Sequence, residues 1–373
     1  MKRFQSEQIL ADLAVKIVIL VGPRQVGKTW LAKSLMAKYQ NPLYLNYDRL
    51  QDREIMMAES WLPETDLLIL DELHKKKGWK NYLKGLFDTR PPHLHILVTG
   101  SARLDTFAQS GDALTGRYFT HHLMPFSPAE LAKVGENDQL DRLIEQGGFP
   151  EPFLAQTDQH ANRWRLEYVN GLIRQDILNF ESILELNAIS QLIELLKTRI
   201  GSLISYQSLS EDLDISPNTV KKYLAILESL YIIFRVSPYA KNVARSLKKG
   251  SKYYFFDNGL IENDPGKKFE NFLANILIKH CGYLQDVMGQ STDLYYLRTK
   301  DGKEIDFCIC QNNSVIQMIE AKVSDDTVPN SLLYFSNKYG YPATQVVWHL
   351  KRERQVGPIS IVSAKRFAET LAL

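Results

Sequence analysis

Cysteine is scarce. Cys281, Cys308 and Cys310 are the only three in 373 residues, too few and too irregularly spaced for a disulfide framework or a zinc-ligand set, so a reducing, cytoplasmic setting is expected. No apolar run approaches the ~20 residues that cross a bilayer. The opening MKRFQSEQILADL has no unbroken apolar stretch and no small-residue cleavage site, so neither a membrane partner nor a secretory leader is expected. Low-complexity tracts are missing, and so is a one-sided charge: the formal net charge of +2 makes no case for nucleic acid by itself. What remains, 45% apolar and 24% charged residues, is a soluble globular composition long enough for two or three domains.

Against that plain background one stretch stands out. Gly22-Pro23-Arg24-Gln25-Val26-Gly27-Lys28-Thr29 fits G-x-x-x-x-G-K-[ST] without a mismatch and follows the apolar run IVIL. Glycine lets a backbone wrap closely round phosphates with its amides pointing inward. The pattern assigns Lys28 to the β- and γ-phosphates and the Thr29 hydroxyl to Mg²⁺. Trp30–Lys38 reads as a helix whose N-terminal dipole adds to the anion site. ATP and Mg²⁺ are the ligands expected.

DLLILDE (Asp66–Glu72) reads as a buried parallel strand ending in two carboxylates. Ligands of α/β sheets sit at the carboxyl ends of strands. That places Asp71 in the Mg²⁺ shell and makes Glu72 the residue that orients or deprotonates the attacking water. HLHILVTGS (His93–Ser101) reads as a further strand, with Thr99 or Ser101 available to the γ-phosphate or the lytic water, or with Ser101 simply an N-cap. LTGRYF sets Arg117 before another strand; it is either a catalytic arginine, in cis or on a neighbouring subunit, or a solvated surface residue.

In this order the P-loop, the LDE strand, the TGS strand and the Gly-Arg before a strand resemble the AAA-type ATPases. With ELHKKKGWKNYLK after the LDE strand and GRYFTHHLMPFSPAEL at the end of the core, they resemble more closely a group of prokaryotic ATPases, over residues ~10–325. The resemblance implies ATP hydrolysis and, as is common in AAA proteins, self-association into homo-oligomers. Ser127-Pro-Ala-Glu130 is a capping box opening a helix.

GGFPEPFL (Gly147–Leu154) breaks the pattern, and two segments with helical periodicity follow, among them the pair Arg174 and Asp176. In SYQSLSEDLDISPNTVKKYLAILESL (Ser205–Leu230), a short helix, a tight turn and a second helix capped by Ser216 read as a helix-turn-helix. Val220, Leu224 and Leu227 share one face and leave Asn218, Thr219, Lys221 and Lys222 outward. Tyr231–Val236 and Lys252–Phe256 read as strands flanking KNVARSLKKGSK, which has five basic residues in twelve and no acid. Such a stripe either neutralises DNA phosphates or is a solvated loop.

GKKFENFLANILIKH (Gly266–His280) is amphipathic, with Glu270 beside its apolar face. LYYL, IDFCIC and VIQMIEAKV read as strands, the last two a hairpin carrying Asp306 and Glu320, with Lys322 two residues on and on the same face. A helix acid, a strand acid and then acid-x-lysine suit metal-dependent phosphodiester cleavage. The arrangement resembles the restriction-endonuclease, PD-(D/E)xK, fold, whose four signature positions Glu270, Asp306, Glu320 and Lys322 match; Glu304 matches as well. That resemblance implies Mg²⁺ and either cleavage or binding alone. Cys308 and Cys310 read as packing residues. Segments TQVVWHL and PISIVSA complete the sheet, and Tyr334–Tyr341 reads as helix into loop.

The expected fold class is therefore α/β. It comprises a P-loop AAA-type parallel-sheet ATPase core over 1–147, a helical connector over 148–202, a winged helix-turn-helix over 203–262 and a small α/β restriction-endonuclease-like domain over 263–373.

Overall fold

The computed structural model describes residues 3–100, 114–173, 183–240 and 250–373. Its contacts divide the chain into two units, Met1–Met124 and Pro125–Leu373.

The first unit is built on strands β1 (Ile17–Val21), β2 (Pro42–Asn46), β3 (Leu67–Asp71), β4 (His95–Thr99) and β5 (Tyr118–His122). They form one parallel sheet in the order β2-β3-β4-β1-β5. Interior strands IVILV and LLILD are buried along their whole length, as continuous apolar strands covered on both faces must be. The edge strands PLYLN and YFTHH are mostly half-buried and keep polar residues. Parallel register sets Leu20 and Asp71 beside Thr99, so the carboxyl ends of β1, β3 and β4 meet at one sheet edge. One core layer packs Ile17, Ile19, Leu68 and Leu70 with Leu83 and Leu86 of helix Trp79–Thr89.

The second unit opens with the helix Pro128–Lys133. Its cap Ser127 accepts from the Glu130 amide, and the buried Glu130 carboxylate pairs with Lys279, which also donates to the Pro125 carbonyl at 2.8 Å. Helix Asp158–Leu172 packs Trp164 and Tyr168 in a stack, ring centroids 4.7 Å apart, against Phe149. After helix Ile183–Lys197 come the two helices of the expected helix-turn-helix, Tyr206–Leu213 and Pro217–Ser229. Asp214 takes a left-handed φ of 53° at the turn, and Ser216 accepts from the Thr219 amide at 3.1 Å. Val220, Tyr223, Leu224 and Leu227 are buried, while Asn218, Lys221 and Lys222 are exposed.

Strands β6 (Ile233–Pro238) and β7 (Lys252–Phe255) pair antiparallel. Residues 241–249 of the basic stretch 241–252 lie outside the described residues, as do Arg174 and Asp176. Beyond helix Pro265–Asp286 come β8 (Thr292–Arg298), β9 (Glu304–Gln311), β10 (Ser314–Lys322), β11 (Ala343–Val347), β12 (Arg354–Val356) and β13 (Ile359–Ser363). The β9–β10 turn is closed by Asn312 and Asn313, both at positive φ, a conformation asparagine tolerates.

The β6–β7 hairpin is part of the C-terminal sheet, whose order is β12-β13-β11-β10-β9-β8-β6-β7. Ser237 and Pro238 continue β6 past the hairpin and pair in parallel with Tyr295 and Tyr296. The hairpin and the C-terminal fold, expected as separate domains, therefore share one sheet. Helix Asn330–Tyr339 begins four residues before the expected start, after Pro329, and the short helix Ala364–Glu369, capped by Ser363, has no forerunner in the sequence reading.

Candidate functional site: a P-loop nucleotide pocket and a carboxylate cluster

The loop Gly22–Thr29 leaves β1 at the carboxyl edge of the parallel sheet. Gly22 has φ 139°, Gln25 58° and Gly27 99°, three left-handed turns that curl the backbone into a concave run of amides. A Cβ on Gly22 would lie 2.2 Å from the Leu123 carbonyl oxygen, so only glycine fits. The loop is braced from behind by Arg3, which donates to the Val26 carbonyl at 2.9 Å and to that of Met124 at 2.6 Å.

Lys28 is buried within the loop, its ammonium donating to the carbonyls of Gly22 at 2.9 Å and Pro23 at 2.5 Å. Burial pushes its pKa down to about 8, against the opposing pull of Glu72 and Asp71. Asp71 accepts from the Thr29 hydroxyl at 3.0 Å, the Tyr44 hydroxyl at 2.6 Å, the Glu72 amide at 3.1 Å and, closely, the Thr99 hydroxyl. A hydroxyl touching a carboxylate beside a phosphate-binding loop is the hard-oxygen donor set that Mg²⁺ takes, with phosphate and water supplying the rest. The residues present fit that ion.

Glu72 has φ 57°, a bend that turns it off the strand. Burial raises its pKa, with Lys75 opposing; Lys75 lies 3.3 Å and His74 3.7 Å from its Oε2. Arg117 is not brought to this edge. It precedes β5 at the opposite end of the sheet, where its carbonyl accepts from the Ile17 amide, and its guanidinium holds Asp88 in a two-pronged pair at 2.7 and 3.0 Å. A strand of five residues, ~17 Å, separates it from the loop in its own chain. Ser101 lies outside the described residues.

The second cluster is in the C-terminal sheet. Asp306 of β9 accepts from the Ala321 amide of β10 at 3.0 Å, which sets Glu320 beside it; Lys322 donates to Glu320 Oε1 at 2.9 Å, and Tyr254 to Glu270 Oε1 at 2.7 Å. Glu270, Asp306, Glu320 and Lys322 thus share one neighbourhood, with Glu304 joined to Arg298 at 2.5 Å. Among them lies a residue of different expected role. Lys252, counted in the sequence as part of the exposed basic stripe, is 1% exposed, and its ammonium stands 2.8 Å from Glu304, 3.5 Å from Glu270 and 3.8 Å from Asp306. Burial alone would lower its pKa, but Glu270, Asp306 and Glu304 outweigh that and hold it above its ordinary value. Burial and Asp306 raise the pKa of both Glu270 and Glu320.

The divalent ion implied by the restriction-endonuclease resemblance does not fit this arrangement, because an ammonium stands between the carboxylates that would share it. Among the described residues no group of three His, Cys, Asp or Glu side chains is disposed to hold a metal.

Comparison with known proteins agrees with the geometry of the first unit. Residues 14–132 match the family model described as AAA domain. The N-terminal unit has the AAA-type P-loop ATPase fold. Residues 137–263 and 265–364 match two models described as domains of unknown function, DUF8612 and DUF4143. The chain is similar to an uncharacterised protein of Mycobacterium tuberculosis, 26% identical over 315 residues that cover 79% of this chain and 67% of that one. It is also similar to one of Haemophilus influenzae, 24% identical over 360 residues and 87% of each chain. Among solved structures it is similar to the Walker-type ATPase of Pyrococcus abyssi, at 16% identity and a TM-score of 0.44, over 69% of this chain and 93% of that one.

In the AAA-type core, Lys28, Thr29, Asp71, Glu72 and Thr99 lie together at the carboxyl ends of β1, β3 and β4. Arg3 and Tyr44 are additions. Nothing in their local sequence marks them, since each acts on a partner distant along the chain. Among the described residues no helix is long and apolar enough to cross a membrane.

Proposed function

We propose that this chain binds ATP with Mg²⁺ and hydrolyses it at the site formed by Lys28, Thr29, Asp71 and Glu72. The observation that carries the reading is the contact of Thr29 with Asp71 at the mouth of the parallel sheet, beside a buried lysine and a bent-out glutamate. When bound, Mg²⁺ screens the phosphate oxygens and steadies the charge that develops on the leaving group. The protein's own part is to cradle the phosphates with loop amides, neutralise them with Lys28 and position water with Glu72, whose raised pKa suits proton transfer. Phosphate release tests this: Lys28→Ala abolishes turnover, and Glu72→Gln retains ATP but slows turnover ~10²–10⁴-fold. Wild-type turnover in both variants overturns the assignment.

The same reading has the chain engage DNA through a winged helix. Support comes from Asn218, Lys221 and Lys222 on the open face of helix Pro217–Ser229. It no longer includes Lys252, which the acid cluster holds inside. Removing charge at Lys221 and Lys222, and separately at Lys248 and Lys249, lowers affinity for duplex DNA and flattens its salt dependence; an unchanged slope returns these lysines to the solvated surface.

For the C-terminal fold the position of Lys252 favours a regulatory or scaffold role over phosphodiester cleavage. Plasmid incubated with Mg²⁺ or Mn²⁺, with and without ATP, stays intact in this reading. Nicking by the wild type that Asp306→Ala abolishes restores the nuclease.

A further inference from the structure

We propose that Lys252 is the resident cation of the Glu270–Glu304–Asp306 cluster and closes this centre to divalent metal. The inference deepens the non-cleaving reading of the C-terminal fold and rests on it.

Four features of the second unit converge on it. Lys252 is the first residue of β7, buried at 1% exposure, and its ammonium reaches three carboxylates, Glu304 of β9 at 2.8 Å, Glu270 of helix Pro265–Asp286 at 3.5 Å and Asp306 of β9 at 3.8 Å. An ammonium that contacts three acids at these distances supplies one positive charge at the place a divalent ion would occupy, and its presence there repels a second cation.

The lysine is also locked in place. Asn271 of helix Pro265–Asp286 clamps β7 three residues further on, accepting from the Phe255 amide at 2.8 Å and donating to its carbonyl at 3.0 Å. Tyr254, two residues from Lys252 and on the same strand face, donates to the same Glu270 carboxylate.

The space on one side of Glu270 is taken. Gly201 packs so closely that a Cβ there would lie 2.4 Å from Glu270 Oε2, which leaves no room on that side for an ion with its waters. Finally, Glu320, with only 8% of its side chain exposed, has one oxygen on Lys322 while the other, Oε2, is buried without a hydrogen-bond partner. This acceptor, next to the Ala321 amide that Asp306 holds, adds to the carboxylates left without a cation once Lys252 is removed, and it makes the cluster convertible by substitution.

Manganese binding to the nucleotide-free full chain, followed by electron paramagnetic resonance, tests the proposal. The expected result is that wild type and Asp306→Asn bind equal amounts of Mn²⁺. Lys252→Gln should gain one equivalent, lost again in Lys252→Gln/Asp306→Asn, while Lys252→Arg gains none. If Lys252→Gln does not fold, Lys252→Gln/Glu304→Gln, which removes one acid along with the cation, is expected to show the same gain; should neither fold, the wild-type comparison decides alone.

A wild-type Mn²⁺ that Asp306→Asn removes overturns the proposal, and so does a folded Lys252→Gln chain that gains no ion. Such failure leaves the non-cleaving reading standing, because that reading fails only if DNA is cut.

Discussion

The hydroxyl of Thr29 donates to Asp71 Oδ2 across 3.0 Å, joining the end of the P-loop to the end of β3, 42 positions away in sequence. Each carboxylate oxygen of Asp71 already receives donors from the chain, Thr29 and Tyr44 on one and Thr99 and the Glu72 amide on the other. The acid is thereby oriented before any ligand arrives. An oriented acid spends no binding free energy on being ordered. The same network sets Glu72 next to it on the far side of a bend that only a left-handed residue makes.

Arg3 is expected to matter to the nucleotide site although it touches no ligand. It satisfies the Val26 and Met124 carbonyls from a buried position. Arg3→Ala leaves those acceptors unpaired and costs ~1–3 kcal/mol of stability, with ATP affinity falling several-fold. Calorimetric melting and fluorescent-nucleotide titration read both; an unchanged affinity confines Arg3 to folding.

Gly22→Ala introduces a Cβ 2.2 Å from a main-chain oxygen at φ 139°, so both the space and the backbone angle oppose it. The loop must shift, at a cost of ~1–3 kcal/mol, and ATP binding is lost. Binding at the wild-type level in a folded Gly22→Ala chain contradicts the placement of this loop.

Arg117→Ala is expected to leave ATP turnover within about twofold of wild type, because the residue stands at the far end of the sheet holding Asp88. An arginine acting on the γ-phosphate supplies ~10³–10⁵ in rate. A loss of that size on substitution means the residue reaches the phosphates of a second copy.

His280 is expected to make the second unit acid-sensitive. Its Nδ1 accepts from the Ala372 amide at 2.9 Å, which needs a neutral ring, and burial, helped by Lys133, pushes its pKa down to about 4 from 6.5. The folded state therefore binds this proton less readily than the unfolded state. The stabilisation is complete above pH 6.5 and is lost as pH falls towards 4. His280→Gln, which does not titrate, should lose less melting temperature between pH 7 and pH 5 than wild type does. An equal loss assigns the acid sensitivity to other groups.

The parts of this fold that were legible in the sequence are those in which one local pattern carries the physics. IVILV and LLILD are continuous apolar runs because both faces are covered, and the P-loop is eight consecutive residues whose backbone does the binding. Lys252 was not legible. In sequence it closes a basic run and looks solvated; only the pairing of β7 with β6, and of β6 with β8, carries it under the acids of β9. Arg117 shows the same limit from the other side. The order of motifs along a chain does not say which end of a strand a residue occupies, and here the register of β5 with β1 decides it. Tyr44 and Arg3 act through partners 27 and 121 residues away and have no spacing to betray them.

The most direct measurement is a calorimetric titration of ATP with Mg²⁺ into the full chain, beside Lys28→Ala. One site per chain with a Kd of order micromolar, ~8 kcal/mol of binding free energy, lost in Lys28→Ala, is expected. A folded wild type that takes up no nucleotide, or a Lys28→Ala chain that binds it equally well, contradicts it.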